Sequence, residues 1–335
     1  MKLAINGLGR IGRNVLRAYY ERLPATEIQI VAVNELADLP TLAHLIRYDS
    51  THGRFQGKVS TSDGKLLIDQ NEITVTQTKD INALKWQDID MVLECTGVYG
   101  KRSDAEIHIK NGAKRVLFSQ PASPDVDITL VYGVNHEQLK SEHRIISAAS
   151  CTTYSSVPVI KVLDEALGIE NGMTTTIHSA MNDQPLIDAY HHTDLRLTRS
   201  AFQSIIPVET ALAKGIERIL PEMDGKFEAQ AIRVPTLNVS AIDMTLAVKK
   251  ACSAEDVNQI IRHAAGTLPP DVLAYTDEPL ASCDFNHDPR SAIVDLGQTK
   301  VSGKHLVKIL VWFDNEWAYA NRMLDVAELI SRLPV

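Results

Sequence analysis

The stretch that decides the fold is Lys2-Leu3-Ala4-Ile5-Asn6-Gly7-Leu8-Gly9-Arg10-Ile11-Gly12. Its first residues form a short apolar run that reads as a strand, and a G-x-G-x-x-G pattern follows at once. Alone, that spacing is a weak signal. Downstream, however, Ile11, Val15, Leu16, Tyr19 and Leu23 recur at helical spacing, Pro24 ends the helix, and Ile28 to Val33 reads as a second strand. Strand, glycine turn, helix and strand within about 30 residues make a βαβ unit, the setting in which this glycine pattern holds a dinucleotide. Gly7 permits the tight turn, Gly9 lets the backbone approach a pyrophosphate, and Gly12 lets helix pack on strand. The helix N-terminus turns the positive end of its dipole toward the phosphates.

Outward from this unit, Glu35 stands at the end of the second strand, 23 residues beyond Gly12. A carboxylate there accepts hydrogen bonds from ribose hydroxyls and repels a 2′-phosphate, so NAD is expected over NADP. Further strands are expected at Asp90–Cys95, Arg115–Ser119, Ile128–Val134 and Arg144–Ser147, as a doubly wound parallel sheet requires. Alternation over Ala231–Lys249 and the apolar run His305–Phe313 place a second sheet later in the chain. From Trp317 to Ile330 apolar residues repeat at helical spacing, which predicts a last helix that returns to the first domain. The fold class is therefore α/β. A Rossmann-type NAD domain over 1–150, completed by 315–335, is joined to an α+β catalytic domain over 151–314 with a mainly antiparallel sheet.

Composition narrows the function classes. With 335 residues, 44% of them hydrophobic and 23% charged, the chain can fill two cores. Its net charge of −8 gives no basic footprint for nucleic acid or an anionic membrane. No apolar run approaches a membrane span, and the amino terminus has no signal-peptide layout, which reads as cytoplasmic. Cys95, Cys151, Cys252 and Cys283 show no metal-ligand spacing, so no metal is expected and reduced thiols are. Cys95, Cys252 and Cys283 read as small buried apolar side chains.

Cys151 is different. It lies in Ser147-Ala148-Ala149-Ser150-Cys151-Thr152-Thr153, between a strand and a helical segment, so its thiol is expected at a helix N-terminus. Backbone N–H groups there would favour the thiolate and could hold an oxyanion. His178 closes the β-branched run Thr174-Thr175-Thr176-Ile177, expected to be a strand, and its imidazole could take the thiol proton. Spacing by itself leaves this pairing at even odds with a structural histidine.

NGLGRIGR at the start, SCTT around Cys151, TTIH at His178, RVPTLNVS from Arg233 and WFDNEWAYANRM from Trp312 occur in order along the whole chain. In these motifs the sequence resembles the glyceraldehyde-3-phosphate dehydrogenase superfamily. NELAD from Asn34, CTGVYG from Cys95, HSAM from His178, QSIIPVET from Gln203 and DFNHDPRSAIVD from Asp284 are most similar to its erythrose-4-phosphate dehydrogenase branch. The resemblance implies Cys151 as nucleophile and His178 as base. It implies Ser150, Thr152, Arg196, Arg199, Thr210 and Arg233 around a phosphorylated aldose, and Gly7, Gly9, Arg10, Ile11, Gly12, Glu35, Lys79, Ser119 and Asn315 around NAD. Lys79 stands where arginine is common. A homotetramer and a place in pyridoxal phosphate synthesis are implied in the same way.

Departures from the family pattern bear on mechanism. Asp194-Leu195-Arg196-Leu197-Thr198-Arg199 has leucine where phosphorylating members carry the arginine for inorganic phosphate, and Leu197 cannot bind an anion. Met181 replaces a threonine that binds substrate phosphate, and Ala148 and Tyr154 replace two asparagines. The expected reaction is oxidation of D-erythrose 4-phosphate to 4-phosphoerythronate, with the thioester released by water. The alternatives are a phosphorylating glyceraldehyde-3-phosphate dehydrogenase and, from another class, a non-catalytic NAD-binding scaffold.

Overall fold

A computed structural model describes residues 1–22, 27–191 and 194–333, so Leu23 and Pro24 lie outside the described residues. The chain forms two compact units, one of Met1–Ser150 with Tyr319–Val335 and one of Cys151–Ala318. No helix among the described residues is long and apolar enough to cross a membrane.

In the first unit β1 (Lys2–Asn6), α1 (Arg10–Glu21) and β2 (Gln29–Asn34) form the opening βαβ. After α2 (Leu39–Arg47) come the short pair β3 (Tyr48–Asp49) and β4 (Gly53–Arg54), then β5 (Val59–Ser62), β6 (Lys65–Ile68) and β7 (Asn71–Thr76). The unit continues with β8 (Met91–Glu94), α3 (Arg102–Lys110), β9 (Arg115–Phe118), β10 (Ile128–Thr129) and β11 (Ile145–Ser147). The sheet order is β10-β11-β9-β8-β1-β2-β7-β6-β5. It is parallel from β10 to β7 and turns antiparallel at β6 and β5. Its inner strand β8 is buried at every residue, as strands covered on both faces must be, while β5 on the edge is largely exposed. The strand expected to run to Val134 stops at Thr129, because Gly133 takes a left-handed φ of +84° and the Asn135 side chain captures the Val131 N–H at 2.7 Å.

The second unit opens with α4 (Cys151–Leu167), followed by β12 (Ile169–His178), β13 (Ile206–Val208), α5 (Leu212–Ile219), β14 (Phe227–Arg233) and β15 (Ser240–Val248). Then come α6 (Ala254–Ala265), β16 (Leu273–Thr276), β17 (Ala292–Ser302) and β18 (Leu306–Phe313). Their sheet, ordered β13-β14-β12-β15-β18-β17-β16, is mainly antiparallel, and α4 packs on it beside α5 and α6. Strand β15 alternates buried and half-buried residues, the mark of a sheet with one face in a core.

Helix α7 (Trp317–Ser331) carries the chain back into the first unit. There Arg22 pairs with Asp325 and donates to the Asn321 carbonyl at 3.2 Å, which ties α7 to the end of α1. All four cysteines are free, and Cys283 is exposed rather than buried. It sits in a short 3-10 turn whose buried residue is Phe285, so the larger apolar side chain takes the core position.

Candidate active site

In the first unit, the ends of β1, β2 and β8 open onto a crevice of about 320 Å³ lined by Gly7, Gly9, Asn34, Glu35, Lys79 and Thr96 among others. Gly7 has φ +91°, and a Cβ there would lie 2.8 Å from the Thr96 backbone, so the turn is open to glycine alone. A Cβ on Gly12 would sit 2.0 Å from the Gly7 carbonyl oxygen, which is why α1 closes onto the turn only without one. Gly9 faces open space, and as N-cap of α1 it brings no side chain to the N–H groups of the first turn. These N–H groups fit the pyrophosphate of a dinucleotide. Glu35 is already oriented, since its carboxylate accepts from the Leu8 and Leu36 N–H groups at 2.7 Å each. Each carboxylate oxygen retains acceptor capacity for ribose hydroxyls.

Arg10 and Ile11 open α1, but the Arg10 guanidinium is engaged by Asp49 through two hydrogen bonds. Ser119 lies just beyond β9, with its N–H on the Glu94 carbonyl at 3.0 Å, and is not among the crevice-lining residues. Asn6 and Asn34 do line the crevice, although the sequence reading passed over them. Their place at the carboxyl ends of parallel strands is the signal that could have found them.

The turn that leads to Cys151 is strained. Ala149 takes φ +51°, uncommon for a residue with a Cβ, and the Tyr319 hydroxyl donates to the carbonyls of Ala148 and Ala149 at 3.3 and 3.1 Å. Ala148 and Tyr154 are both buried and stand in packed surroundings in place of polar asparagines.

In the second unit Cys151 is the first residue of α4, and its Sγ lies 3.9 Å from His178 Nε2 at the end of β12. His178 Nδ1 is 2.8 Å from the Ser179 carbonyl oxygen, which can only accept, so the ring proton sits on Nδ1. Nε2 then turns its lone pair to the sulfur, the tautomer a base needs. Although only half-buried by exposed surface, Cys151 is enclosed closely enough that burial pushes its thiol up to about 12. Backbone N–H groups of Thr152 and Cys151 pull the other way and lose, and Asp314 and Glu316 add to the rise. The helix N-terminus thus acts in the direction expected of it, against burial. Burial also lowers the His178 imidazole below its ordinary range, against the Ser179 hydrogen bond that raises it.

Asn315 is buried in the same unit, and its Oδ1 accepts from the hydroxyls of Ser179 at 3.0 Å and Ser240 at 2.7 Å. Both serines escaped the sequence reading, and no local pattern marks them.

A groove of about 860 Å³ is lined by Arg196, Leu197, Pro207, Glu209, Gln230 and Arg233 among others. Arg233 pairs with Asp183 at 2.6 Å, and Arg199 pairs with Asp188 at 2.9 Å. Arg196 has no carboxylate partner among the described residues, which leaves it the cation of the groove open to an anionic ligand. Leu197 is largely buried yet lines the groove, where its aliphatic side chain offers an anion no hydrogen bond. Thr210 spends its hydroxyl oxygen on the Leu212 N–H at 3.2 Å, Thr152 follows Cys151 in the first turn of α4, and Ser150 precedes it as the last residue of the first segment.

Two family models match the chain. Residues 1–102 match the glyceraldehyde 3-phosphate dehydrogenase NAD binding domain, and residues 150–315 match the glyceraldehyde 3-phosphate dehydrogenase C-terminal domain. The first match covers the glycine turn and Glu35, where the crevice has the shape and donors a dinucleotide needs, and NAD is the cofactor. With both models matched in order, the chain belongs to the glyceraldehyde-3-phosphate dehydrogenase family of NAD-dependent oxidoreductases.

Proposed function

We propose that the protein oxidises D-erythrose 4-phosphate to 4-phosphoerythronate, with Cys151 as nucleophile and water as the acyl acceptor. The observation that carries the chemistry is the Cys151–His178 pair, with Nε2 of His178 3.9 Å from the sulfur and its proton held on the far nitrogen. As Sγ attacks the aldehyde carbon, its proton passes to His178 Nε2 and the carbonyl oxygen becomes an oxyanion. Backbone N–H groups at the start of α4 and the His178 imidazolium are placed to stabilise that charge. NAD, when bound, supplies the acceptor for the hydride that leaves the former aldehyde carbon, and a thioester on Cys151 remains. His178 releases the thiol proton to solvent and, neutral again, takes a proton from water as the water oxygen adds to the thioester. The carbon–sulfur bond breaks, and the departing sulfur is reprotonated.

Arg196 and Arg233, with Thr210, Thr152, Ser150 and Arg199, are the groups proposed to hold the substrate's phosphate and hydroxyls. The buried Leu197 supports water over inorganic phosphate as acceptor, because a charge-assisted phosphate contact is missing where phosphorylating relatives have one. Met181, 48% exposed, likewise offers no hydrogen bond to a phosphate. The same reading expects a homotetramer in solution.

The test is NADH formation with erythrose 4-phosphate and with glyceraldehyde 3-phosphate, each with and without inorganic phosphate. Phosphate-independent turnover with a higher kcat/KM for the four-carbon sugar is expected. Phosphate-dependent turnover favouring the triose would replace this reading with the phosphorylating one, and no turnover with either would favour a scaffold.

A further inference from the structure

Beneath the glycine turn lies a buried polar chain that takes no part in the chemistry above. Glu94 ends β8 and is 1% exposed, with no cation beside it among the described residues. Its Oε2 accepts from Asn6 Nδ2 at 2.6 Å and faces His108 Nε2 at 3.0 Å. Its Oε1 accepts from the Thr96 N–H at 2.9 Å and from the Thr96 hydroxyl. On the far side of the imidazole, Trp86 Nε1 donates to His108 Nδ1 at 2.8 Å. An indole N–H can only donate, so the His108 proton sits on Nε2 and points at Glu94. Four donors therefore converge on one carboxylate, and none of its oxygens meets an acceptor.

What these donors hold is the niche of Gly7. Thr96 is the residue whose backbone would lie 2.8 Å from a Gly7 Cβ. Asn6 precedes Gly7, and its Oδ1 accepts from Asn34 Nδ2 at 2.8 Å. The Asn34 carbonyl in turn receives the Gly7 N–H at 2.8 Å. One carboxylate thus fixes both walls of the turn, Thr96 through one oxygen and the Asn6–Asn34 pair through the other. Asn6, Gly7, Asn34 and Thr96 all line the NAD crevice.

We propose that Glu94 is a positioning residue for NAD, which uses its four-donor shell, backed by His108 and Trp86, to hold the walls of the Gly7 turn at the spacing the cofactor requires. Glu94→Gln keeps the shape but presents an NH2 to a donor whichever way the amide turns. A buried donor without an acceptor shifts the turn, and NAD affinity is expected to fall about 10- to 100-fold.

The experiment measures the NAD dissociation constant by calorimetry on the purified protein, alongside thermal unfolding and iodoacetamide alkylation of Cys151 without NAD. For Glu94→Gln the expected result is the weakened affinity with alkylation within twofold of wild type. Unchanged affinity, or alkylation falling in step with affinity, would overturn the proposal, since the role would then be structural only. His108→Gln and His108→Leu decide the matter if Glu94→Gln does not fold. The glutamine keeps a donor for Glu94 and should leave NAD affinity within about threefold, whereas the leucine removes it and should cost about tenfold. Equal affinities in these two variants would overturn the proposal.

Discussion

Replacing His178 with asparagine removes the ring nitrogen that faces Cys151 while preserving a small polar side chain. The size of the effect follows from the thiol. With burial holding Cys151 near 12, the thiolate fraction at pH 8 is about one in ten thousand in the absence of a base. A positioned general base contributes roughly 10²- to 10⁴-fold, so kcat/KM of His178→Asn should fall by about that factor at pH 8. The pH profile should change as well. In the wild type the neutral imidazole is the active form, and burial lowers its titration below the ordinary histidine range, so activity should be flat through pH 7 and 8 and decline only on acidification. In the variant the spontaneous thiolate carries the rate, which should rise about tenfold per pH unit from 7 to 10. The assay pairs initial rates of NADH formation with the rate of Cys151 alkylation by iodoacetamide, read by mass spectrometry. NAD affinity and circular dichroism verify that the fold is retained. Alkylation of His178→Asn at the wild-type rate, with the wild-type pH profile, would refute the assignment of the base.

Three further outcomes test other parts of the structure. Tyr319→Phe deletes a hydroxyl that donates to two carbonyls of the strained turn at Ala148 and Ala149, and should cost about 1 kcal/mol, read as a lower Tm in calorimetry. Burial raises the Asp49 carboxyl, but Arg10 and the N–H groups of His52 and Thr51 more than offset it and hold it well below the ordinary range. The stability it contributes is therefore complete above the unfolded carboxylate value of about 3.9 and is lost as pH falls below it. Asp49→Asn should unfold more readily at pH 7 and lose less on acidification to pH 2 in urea titrations. Arg196→Leu removes the unpaired cation of the groove and should raise KM for the sugar phosphate roughly tenfold or more while leaving NAD affinity unchanged, as separate titrations of substrate and NAD would show.

The glycine turn was legible because strand, turn and helix follow one another along β1 and α1 and Gly12 answers to Gly7 and Ile5, although Thr96, which closes the niche of Gly7, lies 89 residues on. The second sheet was legible for the same reason, through alternation along β15 and the apolar run of β18. Arg10 was less so, since its guanidinium answers to Asp49, 39 residues on. Asn6 and Asn34 looked like ordinary strand ends, and their function depends on Glu94, 88 residues from Asn6.

By itself the sequence determined the βαβ unit, the acidic residue at the end of β2, and the presence of a thiol at a helix start and an imidazole at a strand end. Each of these is set by residue type and spacing along a few turns of chain. Only the tertiary structure decided which proton sits where. Burial works against the helix terminus at Cys151, the Ser179 carbonyl selects the His178 tautomer, and the donors gathered around Glu94 make a lone buried carboxylate tenable. Desolvation and hydrogen-bond saturation depend on what the folded chain brings around a group, and sequence spacing does not encode that surrounding.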